Sequence, residues 1–282
     1  MYNVDNAIIL AAGSSSRFAP LSYEMHKALL EVRGEILIER QIRQLKAAGI
    51  DEIIVVGYKA ETFRYLEDKY GVKLVLNREY TVKNNISSIW AAKDYIKNSY
   101  ICSSDNYFTV NPFEKCVTDS YYSVLFSQDK TNEWCVQYDV RDIITDVRVG
   151  GESSWYMMGH VFWSEDFTRV FMNLLKEEYD NPETGNMLWE SFYIKHINEL
   201  KMKVRRYKSD EIFEFDSLQE LREFDASYVN NTRSAILKSI ANEYGCRESD
   251  ISDIFPVVEN GVTTGFSYRI QNKKYRYIYE TL

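Results

Sequence analysis

Histidine and cysteine are scarce, with three of the first and four of the second in 282 residues. Cys102, Cys116, Cys135 and Cys246 stand far apart and form no CxxC pair, so neither a zinc site nor a disulfide framework is expected. They read as reduced thiols. A long apolar run is also missing. The stretch Ala7-Ile8-Ile9-Leu10-Ala11-Ala12 is too short for a signal peptide and has no basic lead, and nothing approaches the ~20 apolar residues of a membrane span. Positive charge is in deficit. A formal net charge of −8 argues against a general nucleic-acid or anionic-membrane surface, while leaving room for a local basic pocket. The expectation is a cytoplasmic protein that binds neither nucleic acid nor membrane.

What the chain does have is length for one large core, or a large core with a small appendage. It is also rich in flat amphipathic side chains, with 22 Tyr and 5 Trp. Short apolar runs alternate with helical patterns over the first hundred residues. Strands are expected at Ala7–Ala11, Ile53–Val56, Lys73–Leu76 and Tyr100–Cys102, and helices at 37–48, 60–70 and 86–97. Such alternation predicts an α/β, Rossmann-like fold with a mostly parallel sheet, whose ligands bind beyond the carboxyl ends of the strands. The turns after Ala12, at Gly57-Tyr58 and at Asp105 should then line one crevice. Beyond Asp105 the pattern changes to antiparallel strands at 121–126, 134–138, 143–147 and 158–162. Helices follow at 165–178 and 187–199, then strand-like 203–207 and 212–215 and a capped helix opening at Ser217. A break near 226–231 divides a main domain, 1–228, from a small α+β appendage, 229–282, with a helix from Ala235 to Tyr244 and β-strands within Phe255–Tyr279.

Residues 11–30 read AAGSSSRFAPLSYEMHKALL. The small side chains of Ala11, Ala12, Gly13, Ser14, Ser15 and Ser16 let backbone N–H groups converge on an anion. Arg17 and Lys27 then bring positive charge to a triphosphate and to the transition state. A plain strand–helix turn with two solvated cations is the competing reading. The preceding buried strand and the spacing of Arg17, Pro20 and Lys27 favour the phosphate site. Neither a Walker A loop nor a GxGxxG fingerprint is present.

Strand, AAG, Arg, Pro-Leu and Lys-Ala-Leu resemble the signature of nucleotidyltransferases that activate sugar phosphates and phosphocholine. Over roughly residues 5–225 the chain is most similar to the bacterial CTP:phosphocholine cytidylyltransferases. The resemblance runs through Lys27–Val32, Ile38–Ile42, Val55–Tyr58, Lys69–Val72, Asn84–Ser88, Ser104–Tyr107, Glu133-Trp134, Trp189-Glu190 and Glu214–Ser217. It implies direct in-line transfer of CMP from CTP to phosphocholine, assisted by Mg²⁺, with nucleotide contacts at Tyr58, Asn84 and Ser88. His26 departs from it, standing where the family usually has a loop-stiffening Pro.

The resemblance moves Asp105 from a turn-capping role, equally open from local sequence, to a Mg²⁺ ligand. It places the second metal carboxylates at Glu214 and Asp216, which share one face if the segment is a strand. The rival reading makes Asp216 the N-cap of the following helix. For the quaternary ammonium of the acceptor, aromatic faces beside acids are the matching chemistry. Glu133, Trp134, Trp189 and Glu190 offer them twice and Trp155 adds a third aromatic, although a lone Trp in a strand or helix is more often core. Relatives carry an acid and a Tyr where this chain has Asn186-Met187-Leu188, which leaves phosphoethanolamine open as an acceptor. Sugar-phosphate transfer and a non-catalytic nucleotide-binding domain are the remaining alternatives. Residues 232–282 resemble the opening helix and strands of a choline-kinase-type domain. This implies either a fusion to a longer kinase or a remnant used for packing or homodimerisation.

Overall fold

The computed structural model describes residues 1–13, 18–58, 60–259 and 261–279. The chain divides into two compact units. The larger comprises Met1–Gly13 and Glu39–Phe213, and the smaller Ser14–Ile38 and Glu214–Leu282. The boundary read from sequence near residue 228 falls inside the smaller unit.

The larger unit is built on one sheet of nine strands. In chain order these are β1 (Asn6–Ala11), β2 (Glu52–Gly57), β3 (Lys73–Leu76), β4 (Ser99–Ser103), β5 (Tyr121–Ser127), β6 (Thr131–Tyr138), β7 (Ile144–Gly151), β8 (Ser154–Trp163) and β9 (Lys203–Arg206). The main path runs β7-β6-β8-β4-β1-β2-β3, and β5 pairs with both β8 and β9. Strands β4, β1, β2 and β3 are mutually parallel. Ile8, Ile9, Ile54, Val55 and Val56 are all fully buried, the mark of strands covered on both faces. The sheet is therefore parallel where helices alternate with strands. It turns antiparallel at β8, which pairs with β4 from His160 to Trp163.

Several helices were expected longer than they are. The one predicted over 86–97 ends at Ala91. Buried Ile89, Ala92 and Ile96 keep helical spacing through the turns that follow, so periodicity overruns the backbone's exit. The helix expected over 60–70 is interrupted at Arg64. The one expected over 187–199 is confined to Trp189–Lys195. By contrast, Glu165–Glu178 matches its expectation, with Ser164 Oγ accepting the Phe167 N–H as N-cap. For reference, α1 is Leu37–Ala47, α2 Ile86–Ala91, α3 Glu165–Glu178 and α4 Trp189–Lys195.

Within the smaller unit, residues 18–38 are laced to the C-terminal segment. The Arg33 N–H donates to Asp225 Oδ2 (2.7 Å), and the Tyr228 hydroxyl donates to Glu31 O (2.7 Å). Glu24 Oε1 accepts the N–H groups of Ala235 and Ile236 at the start of α6 (Ala235–Tyr244), which follows α5 (Leu218–Phe224). Tyr23 stacks on Tyr279 with ring centres 3.8 Å apart. The final residues form an antiparallel meander, β10 (Ile251–Glu259), β11 (Val262–Ile270) and β12 (Lys273–Ile278). At Gly265 a β-carbon would meet the Tyr277 carbonyl at 2.0 Å, so no side chain fits where β11 and β12 approach.

Candidate active site

In the larger unit, three neighbouring parallel strands end together. Leu10 pairs with Ser103 and Ala11 with Gly57, so the ends of β1, β2 and β4 lie side by side. Ala11 and Ala12 are buried and Gly13 is exposed. The loop residues Ser14, Ser15, Ser16 and Arg17, expected to complete the phosphate nest, lie outside the described residues. Gly57 has a packing reason. A β-carbon there would sit 3.2 Å from the Phe63 ring. Tyr58 follows it, exposed, with its ring 5.4 Å from that of Tyr80. Asp105 occupies the two-residue turn between β4 and the short strand Asn106–Phe108, half-buried. That is the position a carboxylate needs to face a crevice beyond the strand ends.

The smaller unit carries Lys27, only 4% exposed. Its turn is a short 3-10 helix, Lys27–Leu29, preceded by His26. His26 takes φ −69°, close to the value a proline ring imposes, and its Nδ1 accepts the Ala28 N–H at 3.2 Å. A side-chain hydrogen bond thus does the stiffening for which the resemblance led one to expect Pro. Lys27 Nζ lies 4.0 Å from a Glu214 oxygen and 3.7 Å from an Asp216 oxygen. Taking an ammonium out of water is costly unless acids compensate it, and here two converge on it. The N-cap reading of Asp216 is corrected. Ser217 caps α5, its hydroxyl accepting the Glu220 N–H, while Glu220 Oε2 accepts the N–H groups of Asp216 and Ser217. The Asp216 side chain is therefore not the cap, and one of its oxygens lies near Lys27.

Back in the larger unit, the predicted nucleotide and acceptor residues serve several distinct purposes. Ser88 is buried, and its hydroxyl accepts from the Asn77 amide at 3.0 Å. Asn84 is exposed and works as a stitch: its N–H donates to Gly185 O and its amide to Asn186 O. Trp189 is 4% exposed, stacked on Tyr122 and edge-on to Trp163, so its ring is a core element. Trp134 and Trp155 are half-buried. Cys135 pairs with Tyr156, which puts these two tryptophans on one face of the sheet, and both pack against the main core. Trp155 already faces a cation, the Arg206 guanidinium 5.5 Å from its ring centre. Glu133 is exposed.

Glu190, half-buried in the first turn of α4, receives the Asn85 amide at 3.3 Å. Burial pushes its carboxyl up to about 7, opposed by hydrogen bonds from its own backbone and from Asn85. Asn85 received no separate role from the sequence. The only signal for it was its place beside Asn84 in a shared motif, since the contact it makes spans about a hundred residues.

Residues 7–110 match the MobA-like NTP transferase domain. The chain is 37% identical over 229 residues to the choline-phosphate cytidylyltransferase of Streptococcus pneumoniae, covering 79% of this chain and 98% of that protein. It is 35% identical to the 2-aminoethylphosphonate cytidylyltransferase of Lancefieldella rimae, covering 81% and 95% respectively. A solved structure of the Streptococcus pneumoniae CTP:phosphocholine cytidylyltransferase aligns with a TM-score of 0.76 at 34% identity, over 80% of this chain and 99% of that one.

Proposed function

This chain belongs to the cytidylyltransferase family of those relatives, and we propose that it transfers CMP from CTP to phosphocholine in the cytoplasm, releasing pyrophosphate. The observation that carries the catalytic half is Lys27, nearly withdrawn from water and facing the acids Glu214 and Asp216. A fixed ammonium of this kind neutralises charge that develops on a transferring phosphoryl group. Arg17 is assigned the same task, and the backbone from Ala11 to Ser16 the cradling of the phosphates. The acceptor's phosphate oxygen attacks the α-phosphorus in line, so neither a protein nucleophile nor a general base is needed.

In the larger unit Asp105 is the carboxylate assigned to Mg²⁺; in the smaller unit Asp216, with Glu214, carries the same assignment. Two acids already converging on one cation fit an ion that takes a few protein carboxylates and completes its shell with water and substrate phosphates. When bound, Mg²⁺ supplies further neutralisation of phosphate charge. Tyr58, Asn84 and Ser88 are assigned to the nucleotide side, Asn84 and Ser88 through the shape of the wall they stitch. The acceptor's ammonium is assigned to Glu190, Glu133 and the part-exposed Trp134 and Trp155, with Trp189 packed in the core beside Tyr122 and Trp163. Residues 229–282 are proposed to be the opening of a kinase-like domain, and a role in dimerisation is tested by sedimentation of the whole chain.

The test is a matrix of nucleotides and acceptors read by pyrophosphate release. CTP with phosphocholine should exceed UTP with any acceptor and CTP with glucose-1-phosphate. Preference for 2-aminoethylphosphonate or phosphoethanolamine would keep the transferase and reassign the acceptor. Equal turnover of sugar phosphates would remove the amino-alcohol reading altogether.

A further inference from the structure

Helix α4 begins with a capping problem that its own sequence does not solve. Its N-cap is Leu188, whose side chain can accept nothing, so the first N–H groups lack a local partner. The partner comes from another helix. Asn85 stands at the N-cap of α2, yet its side chain makes no bond to that helix. Its Oδ1 instead accepts the Trp189 N–H at 2.7 Å, and its Nδ2 donates to Glu190 Oε2 at 3.3 Å. One amide thus satisfies a helix start and orients a carboxylate at once. The Trp189 ring, fixed between Tyr122 and Trp163, closes off the other direction in which this turn could shift.

We propose that Asn85 is a positioning residue for the acceptor: by capping α4 from outside it aims the Glu190 carboxylate and so sets the preference for a positively charged headgroup. This rests on the acceptor role of Glu190 given above. The other charges around α4 are engaged elsewhere. Glu178 at the end of α3 is taken by Lys195 and His196, and Glu79 by Lys83 and the Tyr179 hydroxyl. Lys93 lies over the Trp90 ring. Tyr193, on α4 itself, is buried and held protonated by that burial. Among the described residues, the Asn85 amide is the side-chain donor on Glu190.

Asn85→Asp separates positioning from plain capping. Aspartate caps a helix as well as asparagine does, so the Trp189 N–H keeps its acceptor. The donor toward Glu190, however, becomes a second carboxylate oxygen, and two adjacent acids resist ionising together. The expected results are a Glu190 carboxyl ¹³C titration displaced to higher pH, identified by its absence in Glu190→Gln, and a higher acceptor KM at pH 7. That KM should rise by up to about tenfold, the cost of losing the Glu190 charge altogether, with the KM for CTP not following. In Glu190→Gln, adding Asn85→Asp should raise the acceptor KM no further. An unmoved titration, or an equal KM increase with and without Glu190, overturns the positioning role and leaves a simple cap. A displaced titration with an unchanged acceptor KM overturns the acceptor role of Glu190 instead.

Discussion

Lys27 and Glu190 are both withdrawn from water, and they are treated in opposite ways. Lys27 is almost fully covered and is given two acids. Glu190 is half-covered and is given an amide, a neutral partner that leaves its pKa raised to about 7. Acids beside a buried ammonium offset the cost of taking it out of water, which is what the proposed phosphate-facing role of Lys27 calls for. A carboxyl poised near neutrality is only partly ionised at pH 7, and a cation beside it would favour the ionised form. The larger unit therefore holds a carboxyl with a neutral partner and a raised pKa, and the smaller unit an ammonium with two acids beside it.

Lys27→Met attacks that contrast hardest. Pyrophosphate release should fall by about two to three orders of magnitude, the usual cost of removing one donor to a developing oxyanion. The melting temperature should drop only modestly, because the side chains of Glu214 and Asp216 are 31% and 36% exposed and water screens their repulsion. A variant with normal turnover would remove Lys27 from the chemistry.

Glu190→Gln should act on the acceptor alone, raising its KM about tenfold, the effect of a lost charge contact of roughly 1.4 kcal/mol. The pH dependence sharpens this. A cationic acceptor favours the ionised carboxylate, so its KM in the unaltered protein should fall as pH rises through about 7. That component should vanish in the variant. The fold responds with the opposite sign. A carboxyl whose pKa is raised by folding favours the native state at low pH, and this advantage is lost as pH climbs through about 7. Glu190→Gln should therefore raise the melting temperature more at pH 8 than at pH 5.

His160 supplies the smallest effect and a control outside both sites. Its ring is fully buried among Tyr100, Phe108, Phe113, Tyr121 and Tyr207. Burial and the nearby Arg205 charge depress its pKa from 6.5 to about 3. The stability it contributes is present above pH 6.5 and is lost as pH falls toward 3. His160→Gln should make that acid decline shallower, as followed by thermal melts, without changing the pH dependence of the acceptor KM.

The strand ends were more legible in the sequence than the contacts made around Lys27 and Glu190, for a physical reason. The strand ends at Ala11, Gly57 and Asp105 follow from β-branched runs and the parallel register they force, and both are local signals. Capping at Ser217 was also legible, but the role of Asp216 turned on a contact with Lys27, nearly two hundred residues away in sequence. Trp189-Glu190 is adjacent in the chain and divided in space: the ring goes to the core while the carboxylate meets Asn85. No periodicity distinguishes those outcomes, because a tryptophan that packs and one that binds carry the same letter. The early ends of the helices at Ala91 and Lys195 were hidden for a related reason. Apolar spacing continues past the point where the backbone leaves the helix.

The double acceptance by Glu24 ties two distant parts of the sequence together. A chain ended at residue 228, where the sequence reads as a seam, would leave Glu24 with no helix start to hold and Tyr23 with no ring to rest on. Both residues belong to the segment that leads directly into Lys27. The tail is therefore part of what holds this segment, and its helix start and terminal ring serve the stretch before Lys27 as much as the C-terminal segment they belong to.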